Sequence, residues 1–443
     1  MKTLIVGLAL AVFLAIPLAS PASAAPLPDR GIPVVEIDHT LRFGGGEWVR
    51  VRIGDVSLGV HWATNESLRK GGVMFFLDYQ RFFGAAELYD EQGNYLGTRA
   101  LPVHTFVAQH FDRMFEFLDD GDGLFDLRPE TDLRNRSAGD VPVKYLDLNT
   151  RWYLDGSIEP VVTADAAWVN FTVSTVDVPY TRVWDNVSWI WRSGLPSDGA
   201  LERISLTFHL SATAEDGSVA IPVYRVTLAS GRERLPIASE FLENRTREGS
   251  LITVDGKYDQ RIEGWDFGGD ARARLGLATG LTFGNRISSP VLLWMQEQFG
   301  GSCLRGDSFY HCEGDASPTR PVLIARDRLE FAEEWRRAGD WYWVSAVTVD
   351  GRPDTMTFEI YHAERARDLY DGHLGIRLLG GFVYPQGQVI EHDPGLSATS
   401  VLAPIANTTN VAPSILVALQ IAVVGGALVP AVLLRRKARK GRA

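Results

Sequence analysis

The sequence predicts a mainly β protein: one or two antiparallel β-sandwich-like domains outside a membrane, few short helices and one C-terminal transmembrane helix. Three observations carry this expectation. Apolar and polar residues alternate with period two over many short segments. Glycine and proline, 43 and 22 of 443 residues, punctuate the chain at short intervals. Long uncharged apolar stretches sit near both ends.

The strand signals are specific. In Trp48–Ile53, Val49, Val51 and Ile53 share one face. In Arg203–Leu210, Ile204, Leu206, Phe208 and Leu210 oppose Arg203, Ser205, Thr207 and His209. Trp341–Val349 and Thr355–His362 flank Asp350–Asp354 (DGRPD) as a hairpin. Phe382–Tyr384 and Gln388–Ile390 flank a second turn, Pro385-Gln386-Gly387. Gly44-Gly45-Gly46 reads as a turn or bulge before the Trp48 strand. Two helices are expected. One is capped by Ser289-Pro290 and ended by Gly300, and the other covers Arg326–Ala338 before Gly339.

The ends define the organisation. Residues 3–18 are apolar after Lys2, and Ala22-Ser23-Ala24 is a small-residue cleavage site, so 1–24 reads as a secretory signal. Residues 411–434 carry no charge and make about 36 Å of helix, enough to cross a ~30 Å hydrocarbon layer. The six bases in 435–443 place that tail in the cytoplasm and the bulk of the chain outside. Residues 396–410, rich in Ser, Thr, Ala and Pro, read as a stalk. The polar stretch 239–250 suggests a boundary between a β-rich domain at 25–245 and a second lobe at 246–395.

Charge excludes one class of partner. The formal net charge is −11, yet seven of the 44 bases and none of the 55 acids lie in the two end segments, leaving −18 for residues 25–410. Such a surface repels phosphates, so nucleic acid is not an expected partner. A surface protein or a glycan is.

Six of the ten asparagines stand in N-x-[ST] sequons: Asn65, Asn135, Asn170, Asn186, Asn244 and Asn407. With 50 Ser and Thr in 443 residues, chance would place about one. Each glycan needs solvent. Around Asn170, Val169, Phe171 and Val173 should point inward, while Trp168, Asn170 and Thr172 point outward.

Candidate chemistry is sparse. In LDDGDGLFD (118–126), Asp120, Asp122, Gly123 and Asp126 match four positions of an EF-type calcium loop, but Leu118 and Pro129 break its first and last positions. Glu116, Asp119 or Glu130 are the substitutes at hand, and an acidic solvated turn is the competing reading. Calcium is the one cofactor suggested. Cys303 and Cys312, the only cysteines, are separated by eight residues and should form a disulfide outside the cytoplasm. Gly306-Asp307-Ser308 lacks the surroundings of a hydrolase nucleophile, and no paired histidine spacing supports zinc. Trp189 and Trp191 on one strand, and Trp341 and Trp343 on another, suit either a sugar-binding platform or a sandwich core. Glu263 and Asp266 around Trp265 are the carboxylates to inspect for glycoside hydrolysis, which needs two of them about 5–10 Å apart.

The layout resembles that of cell-surface glycoproteins, including those of archaeal envelopes. It implies a non-enzymatic surface protein serving envelope structure, adhesion or partner binding. The alternative is a membrane-tethered carbohydrate-active or hydrolytic enzyme.

Overall fold

A computed structural model describes residues 32–38, 46–64, 72–121, 123, 140–185, 187–188, 190–230, 235–287, 303–306, 310–312, 328–333, 336–365 and 374–402. Residues 1–24, read as a secretory signal, the apolar 411–434, the basic 435–443 and the expected helix at 289–300 lie outside these residues.

The described residues are mainly β, with no α-helix and one 3-10 turn at Pro196–Asp198. The N-terminal strands are β1 (Val34–Asp38), β2 (Gly46–Ile53), β3 (Val56–Ala63), β4 (Val73–Asp90), β5 (Tyr95–Leu118) and β6 (Val141–Asp147). There follow β7 (Tyr153–Val162), β8 (Ala166–Pro179), β9 (Arg182–Asp185), β10 (Ile190–Ser193), β11 (Ala200–Leu228), β12 (Pro236–Glu263) and β13 (Ala273–Ile287). The C-terminal part holds β14 (Cys303–Gly306), β15 (Tyr310–Cys312), β16 (Arg328–Glu333), β17 (Arg336–Tyr342), β18 (Ala346–Val349) and β19 (Arg352–Thr355). It ends with β20 (Thr357–Arg365), β21 (Leu374–Tyr384), β22 (Val389–His392) and β23 (Gly395–Leu402).

Pairing builds two layers. One runs β1–β2–β3–β4–β5–β13–β21–β20, antiparallel throughout. The other runs β7–β8–β11–β12, with β22 and β23 in succession along the outer side of β12. Alternation explains why the layers face each other. Val169, Phe171 and Val173 of β8, and Ile204, Leu206, Phe208 and Leu210 of β11, are buried, as the sequence predicts. Across the interface Phe75 of β4 meets Phe208 and Tyr258 at ring distances of 5.6 and 6.0 Å, and Phe111 of β5 meets Tyr258 at 5.4 Å. Gly256 of β12 faces this packing. A Cβ there would stand 2.5 Å from Phe75 Cζ and 2.8 Å from Leu58 Cδ2.

The layers merge at one end. β4 leaves β3 after Tyr79 and pairs in parallel with β11 over Ala85–Asp90 and Val223–Leu228. β11 has by then left β8. The result is a four-stranded extension, β5–β4–β11–β12, made from the far ends of two long hairpins.

Several expectations are corrected. The helix expected over Arg326–Ala338 is replaced, in its described residues, by strands: residues 328–333 and 336–342 are β16 and β17, paired with each other, with β14 and with β23. Helix propensity over one short segment is a weak preference, and non-local ladders override it. Residues 239–250, read as a boundary, lie inside β12, paired with β11 on both sides of a bulge at Leu242, and their polarity reflects exposure of both faces. One contiguous core spans Val49 to Ala398, across both expected domains. Residues 396–402, read as the start of a stalk, form most of β23, with Leu396 and Ala398 buried. The DGRPD hairpin is present but tighter. Val349 pairs with Arg352 across Asp350 (φ 51°) and Gly351 (φ 75°), the left-handed pair of a type I′ turn, and Thr357–Arg365 goes instead to β21. Pro385-Gln386-Gly387 joins strands that do not pair, carrying the chain from one layer to the other.

Gly256→Ala should cost about 1–3 kcal/mol by overpacking the interlayer contact. The check is the denaturant midpoint of the full chain, which should fall with its slope unchanged.

Candidate functional site

The acidic loop comes first. β5 ends at Leu118, and the Asp119 amide donates to the Arg272 carbonyl (3.0 Å), tying the loop to the approach to β13. Gly121 (φ 109°) and Gly123 (φ 72°) turn the chain where an L side chain would be strained. Their amides both donate to Asp119 Oδ1, at 3.0 and 3.1 Å. Thr357 of β20 donates to the Gly123 carbonyl at 2.8 Å. Asp140, just before β6, accepts from the Asp120 amide at 3.2 Å. Asp119, Asp120 and Asp140 thus offer oxygens within 4.8 Å of one another, with Asp119 and Asp140 buried and Asp120 exposed.

This differs from the sequence expectation. Asp120 belongs to the cluster, while Asp122 and Asp126 lie outside the described residues. Of the substitutes, Asp119 joins and Glu116 does not. Asp140 stands 20 residues downstream of Asp120, where no loop template looks, and only the β5–β6 pairing brings it close. Hard oxygens in this arrangement suit calcium, which takes six to eight. The two amides and the Arg274 guanidinium, 3.6 Å from Asp119 Oδ2, also satisfy part of this charge without an ion.

The second cluster surrounds Trp265. Glu116 is buried and accepts from Trp265 Nε1 and from the Gly268 amide, both at 3.0 Å. Lys144 of β6 lies 3.6 Å from Glu116, with its ammonium 4.1 Å from the Tyr180 ring centre and 5.7 Å from that of Trp265. It also donates to the Asp266 carbonyl. Burial lowers the Lys144 pKa, against the opposing pull of Glu116, and burial pushes the Tyr180 hydroxyl up to about 12. Glu263 is bound by Arg261 (2.9 Å). The two carboxylates flanking Trp265 are thus not the groups that organise the site. Glu116 and Lys144, 28 residues apart on paired strands β5 and β6, are, and no local motif signals them.

The aromatic pairs divide. Trp341 and Trp343 are buried, 4.8 Å apart and packed on Phe358. Trp191 is half-buried, edge-on to Tyr145 and Trp184 at 5.1 and 5.4 Å; Trp189 lies outside the described residues. His392 is buried too. Its Nε2 lies 2.8 Å from the Val344 carbonyl, which only accepts, so the proton sits there and Nδ1 takes the Tyr384 hydroxyl at 3.0 Å.

Among the sequons, Asn170 and Asn244 are described, and both are exposed. Asn170 lies outward on β8 with its Oδ1 3.1 Å from His209 Nδ1, and its partner Thr172 shares a hydrogen bond with Thr207. Asn65, Asn135, Asn186 and Asn407 lie outside the described residues. Cys303 and Cys312 stand directly opposite each other in the β14–β15 ladder.

No protein-family model, curated protein or solved structure matches the chain.

A calcium ion held by Asp119, Asp120 and Asp140 would stabilise the fold by about 1.4 kcal/mol at tenfold excess over Kd. The expected result is a higher melting temperature in millimolar calcium for the wild type and none for Asp140→Asn. Equal responses in the two chains would leave the cluster as an acidic turn.

Proposed function

We propose that the protein is a type I, single-pass cell-surface glycoprotein whose β-rich portion stands outside the membrane and serves envelope structure, adhesion or partner binding. The observation that carries this reading is the sequon excess, six of ten asparagines. The apolar segment with its small-residue site at one end, and the uncharged 24-residue stretch before a basic tail at the other, supply the route and the anchor. No helix among the described residues is long and apolar enough to cross a membrane; the proposed span at 411–434 lies outside them. The exposed placement of Asn170 and Asn244 on strands suits glycan attachment.

An oxidising exterior also suits the cysteine pair. Antiparallel neighbours opposite each other are within reach of a disulfide, and closing so short a loop stabilises by about 2.5–3 kcal/mol. A carbohydrate-active enzyme has less support. Trp341 and Trp343 pack the core, and Glu263 is held in an ion pair with Arg261.

Glycopeptide mass spectrometry on protein from its native membrane should find sugar on Asn170 and Asn244. Bare peptides at every sequon would sink the reading.

A further inference from the structure

The outer face of β8 carries a side chain that the core does not explain. Trp168 is 39% exposed, the one exposed tryptophan among the described residues. No ring or cation among those residues stacks on it, whereas Trp48 has Arg50 over its ring and Trp184 and Trp191 have each other. The residues opposite Trp168 in the ladders are Val161 on β7, also exposed, and Ser211 on β11. Asn170, the sequon asparagine, is the next residue on the same face. Two strand positions separate them by about 7 Å, a gap that one sugar ring on the asparagine side chain spans.

The asparagine is held ready. Its Oδ1 lies 3.1 Å from His209 Nδ1, and His209 Nε2 lies 2.9 Å from Asp259. With the oxygen engaged toward β11, the amide plane is set, and Nδ2, the atom that carries a glycan, stands on the opposite side of Cγ. A sugar there can lie back along β8 over Trp168 or forward over Thr172. The forward ground is polar: Thr172 shares a hydrogen bond with Thr207 and sits opposite Asp155, which is paired with Arg203. The backward ground is an indole beside a valine. A pyranose has a face of C–H bonds, which packs on the electron-rich face of an aromatic ring and not on a hydrated hydroxyl pair.

The same placement recurs at the other described sequon. Asn244 pairs with Pro222, and across the bulge at Leu242 Phe241 pairs with Tyr224. Pro222 and Tyr224 are two apart on β11, so Phe241 shares the face of Asn244 and is exposed beside it. Aromatics are 10% of the chain, so an exposed one in this position at both described sequons is more than composition supplies.

We infer that the glycan on Asn170 lies back on Trp168, its first sugar ring packed against the indole, and so forms a fixed part of the β7–β8 surface. The inference rests on the glycoprotein reading above.

The test compares the full chain in detergent, purified glycosylated from its native membrane and bare from a host without N-glycosylation. Urea unfolding is followed for wild type and Trp168→Ala in both forms. Glycosylation should favour folding of the wild type about fivefold more than folding of Trp168→Ala. Sugars elsewhere act on both chains alike and cancel, as does any cost of the substitution itself. Trp168→Phe, which keeps a flat ring, should recover most of that factor. An equal gain in wild type and Trp168→Ala, with sugar found on the Asn170 peptide, overturns this inference alone. A bare Asn170 beside a glycosylated Asn244 does the same. Bare peptides at every sequon overturn the glycoprotein reading with it.

Discussion

The contact between layers at Phe75, Phe111, Phe208 and Tyr258 is the constraint on which the rest of the architecture depends. These rings come from β4, β5, β11 and β12, the four longest strands. Face to face at one end, the same strands lie side by side at the other. A continuous sheet can do this only by twisting and folding over itself, and the aromatic packing holds the fold-over in place. One amide buried beside it is matched on both sides. Gln109 donates to the Tyr258 hydroxyl (2.8 Å) and accepts from Trp341 Nε1 (3.0 Å), so one amide ties β5, β12 and β17 together. An unmatched amide at that depth would cost about 1–3 kcal/mol, which makes this network a device for register as much as for stability.

The outer face of the second layer has a different character. Asn170, His209, Asp259, Lys257 and Asp393 form a chain of contacts across β8, β11, β12 and the connection between β22 and β23, all in reach of water. Exposed pairs of this kind contribute little to stability. What they provide is a hydrated, mixed-charge surface on a strongly acidic portion of the chain. Lysine is scarce here, and two of the three in residues 25–410 have specific work: Lys257 in this network, and Lys144 under the Tyr180 ring.

The fold class was legible because period-two alternation is a local property. The Ile204–Leu210 and Val169–Val173 faces could be read directly, and so could the turn at Asp350-Gly351. What was not legible depended on pairing at a distance. Residues 328–342 carry a mixed pattern that a helix or two strands would satisfy, and only the neighbours β14 and β23 decide it. The polar run at 239–250 resembles a linker because a strand exposed on both faces needs no apolar alternation. The site was partly legible for the same reason. Asp120 and the glycines beside it announce a turn in their own sequence. Asp140, Glu116 and Lys144 are ordinary residues until the β5–β6 ladder brings them together.

The placement of this sandwich outside the cell is the claim with the widest consequences, and protease added to intact cells tests it most directly. The account predicts that the bulk of the chain is digested from outside and leaves a short membrane-bound fragment carrying the basic tail. A chain that survives intact until the cells are lysed, and only then is cut, would contradict it.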